Sequence, residues 1–144
     1  MRIAEITQGL TPTQLVALPE PDAWSARDVL AHLRACSDMW GKYMVLILSE
    51  DKPTFKAVNP RTWIKATNYL AEPFQPSFEA FSDQRSRLLA TLSPLAPMDW
   101  DRTGTATGSG KPRVRTVHTY ALWLANHEGS HFKQLMQIAR TVRL

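Results

Sequence analysis

Sulfur chemistry is almost missing from this chain: Cys36 is the single cysteine among 144 residues. No internal disulfide can form, a cysteine-rich zinc site is excluded, and such usage fits a reducing cytoplasm. Long apolar runs are missing as well. Nothing approaches the roughly 18 consecutive apolar residues of a membrane-spanning helix, so no membrane partner is expected. The opening MRIAEITQGL has neither a basic leader nor an apolar run and does not read as a signal peptide. Repeats and low-complexity tracts are absent. Gly110-Lys111 is followed by Pro112, where a phosphate-cradling loop needs Ser or Thr. Charge of one sign is not concentrated either: 17 Lys and Arg stand against 13 Asp and Glu. The densest basic run is Lys111, Arg113 and Arg115, in a loop with Gly and Pro, so no specific nucleic-acid partner is expected.

What is present is a 44% hydrophobic composition, enough for the core of one domain over residues 1–144. A short first helix fits residues 3–10, and Thr11-Pro12 then reads as an N-cap and first helical position. Ser25-Ala26-Arg27-Asp28 carries the polar cap and the acidic residue of a capping box, with Trp24 placed as a hydrophobic staple. From there to about Ser49 no proline occurs. Val29, Leu33, Cys36, Trp40, Met44 and Ile47 recur at steps of three and four, which predicts one amphipathic helix. Residues 51–60 are turn-rich. Pro60 is expected to open a third helical stretch to about Leu70, which Pro73 and Pro76 interrupt. Ser77 is expected to cap a further helix with Phe78, Phe81, Leu88, Leu89 and Leu92 on its apolar side, and Pro94 and Pro97 stop it. Residues 99–115, with Gly104, Gly108 and Gly110, read as a loop or small hairpin. A last helix spans residues 116–142. The expected fold class is all-α, a four-helix bundle.

Four histidines stand out against this frame. At about 100° per residue, His127 and His131 lie about 40° apart, on the side that carries Val117, Tyr120, Leu124, Leu135, Ile138 and Val142. Both imidazoles therefore point inward. Buried ring nitrogens need partners, and a divalent metal would satisfy both at once; two core histidines bonded to side chains or water are the alternative. His118 falls about 180° from His127 on the same helix and is set aside. His32 borders the apolar face of the Ser25 helix and would supply a third ligand if that helix packs beside the last one. Glu128 completes a literal His-Glu-x-x-His string. No histidine follows His131 at short spacing, and helices alone offer no edge strand for a peptide, so protease chemistry is disfavoured. Glu128 lies inside the apolar arc, where three roles are open: support of the ligands, a catalytic base for water, or a salt bridge at a rim.

Two strings resemble the DinB-like (YfiT-like) superfamily: Trp24-Ser25-Ala26-Arg27-Asp28-Val29-Leu30-Ala31-His32-Leu33, and His127-Glu128-Gly129-Ser130-His131 followed by Gln134-Leu135. The Trp100-Asp101-Arg102 turn is similar too. The resemblance implies a four-helix bundle with metal ligands His32, His127 and His131. It implies a divalent ion such as zinc or nickel, and often a homodimer. It also implies small-molecule chemistry, in some relatives with a low-molecular-weight thiol. The first helix is shorter here than the family's usual one, which suggests a truncated start or a bundle completed by a partner chain.

The leading expectation is thus a metal-dependent transferase or hydrolase, with Glu128 as candidate base and Cys36 as a core residue. A non-catalytic, stress-associated metal-binding module is the second. An open metal position favours the first, and a fourth protein ligand favours the second. A basic nucleic-acid binder is the third, and it predicts affinity that falls steeply with salt.

Overall fold

The computed structural model describes residues 2–144. Two short helices, α1 (Arg2–Thr7) and α2 (Pro12–Val16), lead into the long α3 (Ala26–Ser49). Strand β1 (Thr54–Lys56), a one-turn helix α4 (Pro60–Trp63) and a tighter 3-10 turn (Ile64–Ala66) connect it to α5 (Phe74–Leu92). Then come α6 (Pro97–Trp100), β2 (Thr103–Thr107), β3 (Arg113–Thr116) and the long α7 (Val117–Val142). The bundle is built from α1, α3, α5 and α7, with α7 packed on both α3 and α1, and α5 on α3. No helix is long and apolar enough to cross a membrane among the described residues.

The expected caps of α2 and α3 are made, and α7 has one as well. Ser25 Oγ accepts from the Asp28 N–H at 3.2 Å, and Asp28 Oδ2 accepts from the Ser25 N–H and hydroxyl at 2.9 and 2.8 Å. Thr11 and Gln14 reproduce this exchange at α2. Thr116 accepts from the Thr119 N–H at 3.0 Å and starts α7. Each satisfies N–H groups that the first helical turn cannot pair internally.

The expected helical bundle is present, and three details refine it. First, it carries a small sheet: β1 pairs in parallel with β2, and β2 pairs antiparallel with β3. The segment between α6 and α7 is the hairpin β2–β3, turning through Gly108 and Gly110 at positive φ. Gly104 lets this sheet lie on α3, since a Cβ there would sit 2.7 Å from Ile47 Cγ1 and 2.8 Å from Phe55 Cε1. Second, α5 starts at Phe74 rather than at Ser77. Pro76 falls in the first turn, where its missing N–H costs nothing. Ser77 is buried and accepts a bond from Arg34 Nη1 at 3.1 Å instead of capping. Leu89, expected inside, is exposed. Third, the helical stretch from Pro60 ends at Ala66 rather than Leu70. The Thr67 hydroxyl donates to Ile64 O at 2.7 Å, a local bond that competes with helix continuation.

The apolar core falls into two clusters. Ile3, Val29, Leu30, Leu33, Phe81, Leu135 and Ile138 form one. Tyr43, Met44, Ile47, Leu88, Val117, Tyr120 and Leu124 form the other. Along α3 the first ends at Leu33 and the second begins at Tyr43; along α7 the gap runs from Leu124 to Leu135. His32, Cys36, Ser37, His127, Glu128 and His131 occupy or border that gap, so a polar layer crosses the middle of the bundle.

Candidate metal centre

Because α3 and α7 pack side by side, the inward-facing histidines of α7 meet His32 of α3. His127 Nε2 lies 3.1 Å from His32 Nε2 and 3.1 Å from His131 Nε2. The three ring centroids are 4.5 to 5.0 Å apart. All three rings are half-buried. Burial pushes the His32 imidazole down to about 4, helped by the charges of His131 and Arg61. Burial likewise pushes His127 down to about 4, with His131 and His32 adding to it. Both rings are therefore neutral at pH 7 and offer lone pairs rather than charges.

The donor chemistry fits a cation better than a proton. His131 Nδ1 contacts Gln134 Oε1 at 2.7 Å, an acceptor, so that nitrogen carries the hydrogen and Nε2 is left bare. His127 Nε2 faces two other Nε2 atoms, and one proton on it can be donated to only one of them. If that proton sits on His127 Nδ1 instead, it is buried without an acceptor. Two imidazoles bound cis to one ion at about 2.0–2.1 Å would hold their nitrogens about 2.9–3.4 Å apart, which brackets the observed contacts.

Cys36, one helical turn after His32, lies closer to this group than the sequence suggested. Its Sγ is 3.6 Å from His32 Nε2. Donor atoms of His32, Cys36 and His127 all lie within 4.8 Å of one another, which makes this trio a second candidate ligand set. Burial pushes the thiol up to about 12, with the Glu128 charge adding, so without a cation it stays protonated. Glu128, buried at 5% exposure, turns to α5: its carboxylate accepts from the two terminal guanidinium nitrogens of Arg85, Nη1 at 2.8 Å and Nη2 closer still. Arg85 Nη2 also reaches Ser37 Oγ at 3.3 Å. Of the roles open to Glu128, the salt bridge is the one displayed. His118 is exposed on the far side, edge-on to Trp100.

Trp24 and Trp40 frame the cluster. Trp24 lies 5.1 Å from the His32 ring and stacks at 6.3 Å on His131, so its body covers the imidazoles as well as the start of α3. Trp40 meets His127 edge-on at 5.1 Å. A cavity of about 580 Å³ opens onto His32 and His131, walled by Trp24, Ile64 and Leu70 with Arg61 and Asp28 at its edge. Sequence reasoning missed Arg85, Arg61 and the role of Gln134. Arg85 had a signal: it lies four residues after Phe81 and three before Leu88, so a charge sits in the apolar stripe and demands a buried counter-charge. Arg61 had none, because its position depends on where the chain after β1 returns.

A family model described as the DinB superfamily matches residues 1–135. A protein of Halalkalibacterium halodurans named "Putative metal-dependent hydrolase" is 22% identical over 135 residues, covering 94% of this chain and 78% of that protein. Among solved structures, YfiT from Bacillus subtilis, described as "a probable metal-dependent hydrolase with an unusual four-helix bundle topology", matches with a TM-score of 0.76. That likeness covers 96% of this chain and 78% of YfiT at 18% identity, and it establishes the fold: a YfiT-like four-helix bundle with a small sheet.

Proposed function

As a chain that belongs to the DinB superfamily, this protein is, we propose, a metal-dependent hydrolase whose His32, His127 and His131 hold one divalent cation. The observation that carries the reading is the pair of 3.1 Å contacts at His127 Nε2, which no single proton satisfies. The names of the relatives point the same way. Zinc and nickel suit a set of neutral imidazoles. A bound cation of this kind supplies Lewis acidity. The chain's own residues do the rest. Gln134 fixes the His131 tautomer, and Trp24 excludes water from one side of the rings. Arg61 faces the cavity and orients an electron-rich group of a small substrate, whose apolar part rests on Ile64 and Leu70. Glu128 would serve as a base only by leaving Arg85, so its favoured role is to hold α7 against α5 at the height of the ligands. Cys36 is the fourth donor if the site closes around the cation.

The test is metal content of protein purified without an affinity metal column, followed by hydrolysis of a panel of small esters and amides before and after chelation. About one equivalent of metal and chelator-sensitive turnover are expected, both lost in His32→Ala, His127→Ala and His131→Ala. Protein that takes up no divalent ion, or metal content unchanged in those variants, would overturn the reading. Turnover that needs an added low-molecular-weight thiol would redirect it to S-transfer at the same site.

A further inference from the structure

Polar anchors, not core residues, hold the chain that runs from α4 to α5. No residue from Arg61 to Glu72 is buried, although α4 and the turn after it pack on α3. Two charged side chains of α3, one helical turn apart, fix this strap. Asp38 Oδ2 accepts from Trp63 Nε1 at 2.9 Å and from the Tyr69 hydroxyl at 2.6 Å, while its Oδ1 accepts from Gln84 Nε2 of α5. Arg34 Nη1 donates to Glu72 Oε2 at 2.5 Å, and its guanidinium lies over the Tyr69 ring at 3.8 Å. Tyr69 is thus gripped by its face and by its tip. Burial pushes its hydroxyl up to about 12, with the Asp38 bond and charge adding, so it remains a donor at any ordinary pH. The same strap supplies Arg61, Ile64 and Leu70 to the cavity that opens onto His32 and His131. Asp38 is not among that cavity's walls. At about 100° per residue, Arg34 stands about 160° and Asp38 about 120° from His32 around α3. The strap therefore wraps α3, with its anchors on one side and the cavity on the other.

We infer that Asp38 is a positioning residue for the candidate metal centre. It acts through Trp63 and Tyr69, whose anchoring fixes where Arg61, Ile64 and Leu70 stand and so how wide the approach to His32 is. A strap held in place admits small molecules and turns wider ones away, so the same contacts set a size limit on the substrate. The inference rests on reading that cavity as the substrate's approach. It does not rest on the cation, because the approach can be measured in metal-free protein.

The test is access to His32 in chelator-treated protein, read as its rate of acylation by diethylpyrocarbonate against that of the exposed His118. Trypsin cleavage after Arg61 and Lys65 measures detachment of the strap. Asp38→Ala should speed both by about tenfold or more, since the strap loses two bonds to a charged group. Tyr69→Phe and Trp63→Phe, each short of one bond, should each give a several-fold rise, and they decide the matter if Asp38→Ala does not fold. Asp38→Asn should stay close to wild type. Its one oxygen serves Trp63 and Tyr69, and Gln84 can turn its amide over to meet the new NH2 group. Thr116→Ala, which removes the α7 cap, is the destabilised control and should change neither rate. Equilibrium metal content should be the same in all these chains, since no proposed ligand lies on the strap. Unchanged His32 acylation in the folded variants, a parallel rise at His118, an equal rise in Thr116→Ala, or Asp38→Asn as open as Asp38→Ala would each overturn the inference. Wild-type protein that takes up no cation would strike the metal reading alone and leave the access result standing.

Discussion

At the scale of single residues, the site turns on which nitrogen carries a hydrogen. Gln134 settles this for His131 through a side-chain acceptor 2.7 Å from Nδ1. Gln134→Leu should keep the fold and weaken metal affinity by about tenfold or more, read by competition with a chelator of known affinity. An unchanged affinity would mean that Gln134 does not orient the ring. Glu128 is expected to behave differently. Glu128→Gln strips the partly buried Arg85 of its buried counter-charge and should cost on the order of 3 kcal/mol in denaturant unfolding. It should leave metal content intact; lost turnover at unchanged stability would make Glu128 the base after all. The histidines also set a pH dependence in the metal-free protein. His32 and His127 titrate near 4 when folded against the ordinary 6.5, so the unfolded chain binds more protons between those values. Their contribution to stability is complete above about 6.5 and is lost as pH falls towards 4. Unfolding midpoints from pH 8 to 4 should therefore be flat and then drop, and the drop below 6.5 should shrink in His127→Ala.

At the scale of elements, what could be read from the sequence was what local chemistry decides. The Ser25 box fixed where α3 begins, because the cap is made by residues within three positions of one another. Ser25→Ala should lower stability by about 1 kcal/mol, and an unmoved unfolding midpoint would remove the cap from the account. The meeting of His32 with His127 was legible for the same reason: two periodic faces on two long helices have few ways to pack. What stayed hidden was set at a distance. β1 pairs with β2 across some fifty intervening residues, as Thr54 opposite Thr105 shows, and three-residue strands carry almost no pattern of their own. The Thr-Gly-Thr-Ala-Thr alternation of β2 was the one available hint. Glycines in long helices carry a separate lesson. Gly41 lies inside α3, and the helix continues through it with open space where a Cβ would stand. Gly41→Ala should accordingly raise stability by roughly 0.5–1 kcal/mol, measured in the same unfolding assay; a loss would imply a neighbour the fold does not reveal.

At the scale of the whole molecule, the question is how the bundle is closed. With six residues, α1 is about 9 Å long, against about 28 Å for the nineteen residues of α5. It packs on α7 and buries Ile3, but it cannot run the length of its neighbours as a full fourth helix would. Leu89 on α5, Leu122 and Trp123 on α7 and Val45 on α3 all remain substantially exposed. Apolar side chains scattered singly over a surface are ordinary, so their number alone decides nothing. A second copy of the chain is expected to cover Leu89, the most exposed of the four. Sedimentation at micromolar concentration should give twice the chain mass of 16.3 kDa. Leu89→Asp should return the protein to a monomer, because a charge in an apolar interface loses its water without gaining a partner. The same variant should keep its metal, since Leu89 is not a wall of the cavity that opens onto the histidines. A wild type that sediments as a clean monomer would mean that this bundle tolerates its short first helix unaided. A dimer that survives Leu89→Asp would move the interface to the other exposed face, around Leu122 and Trp123 on α7.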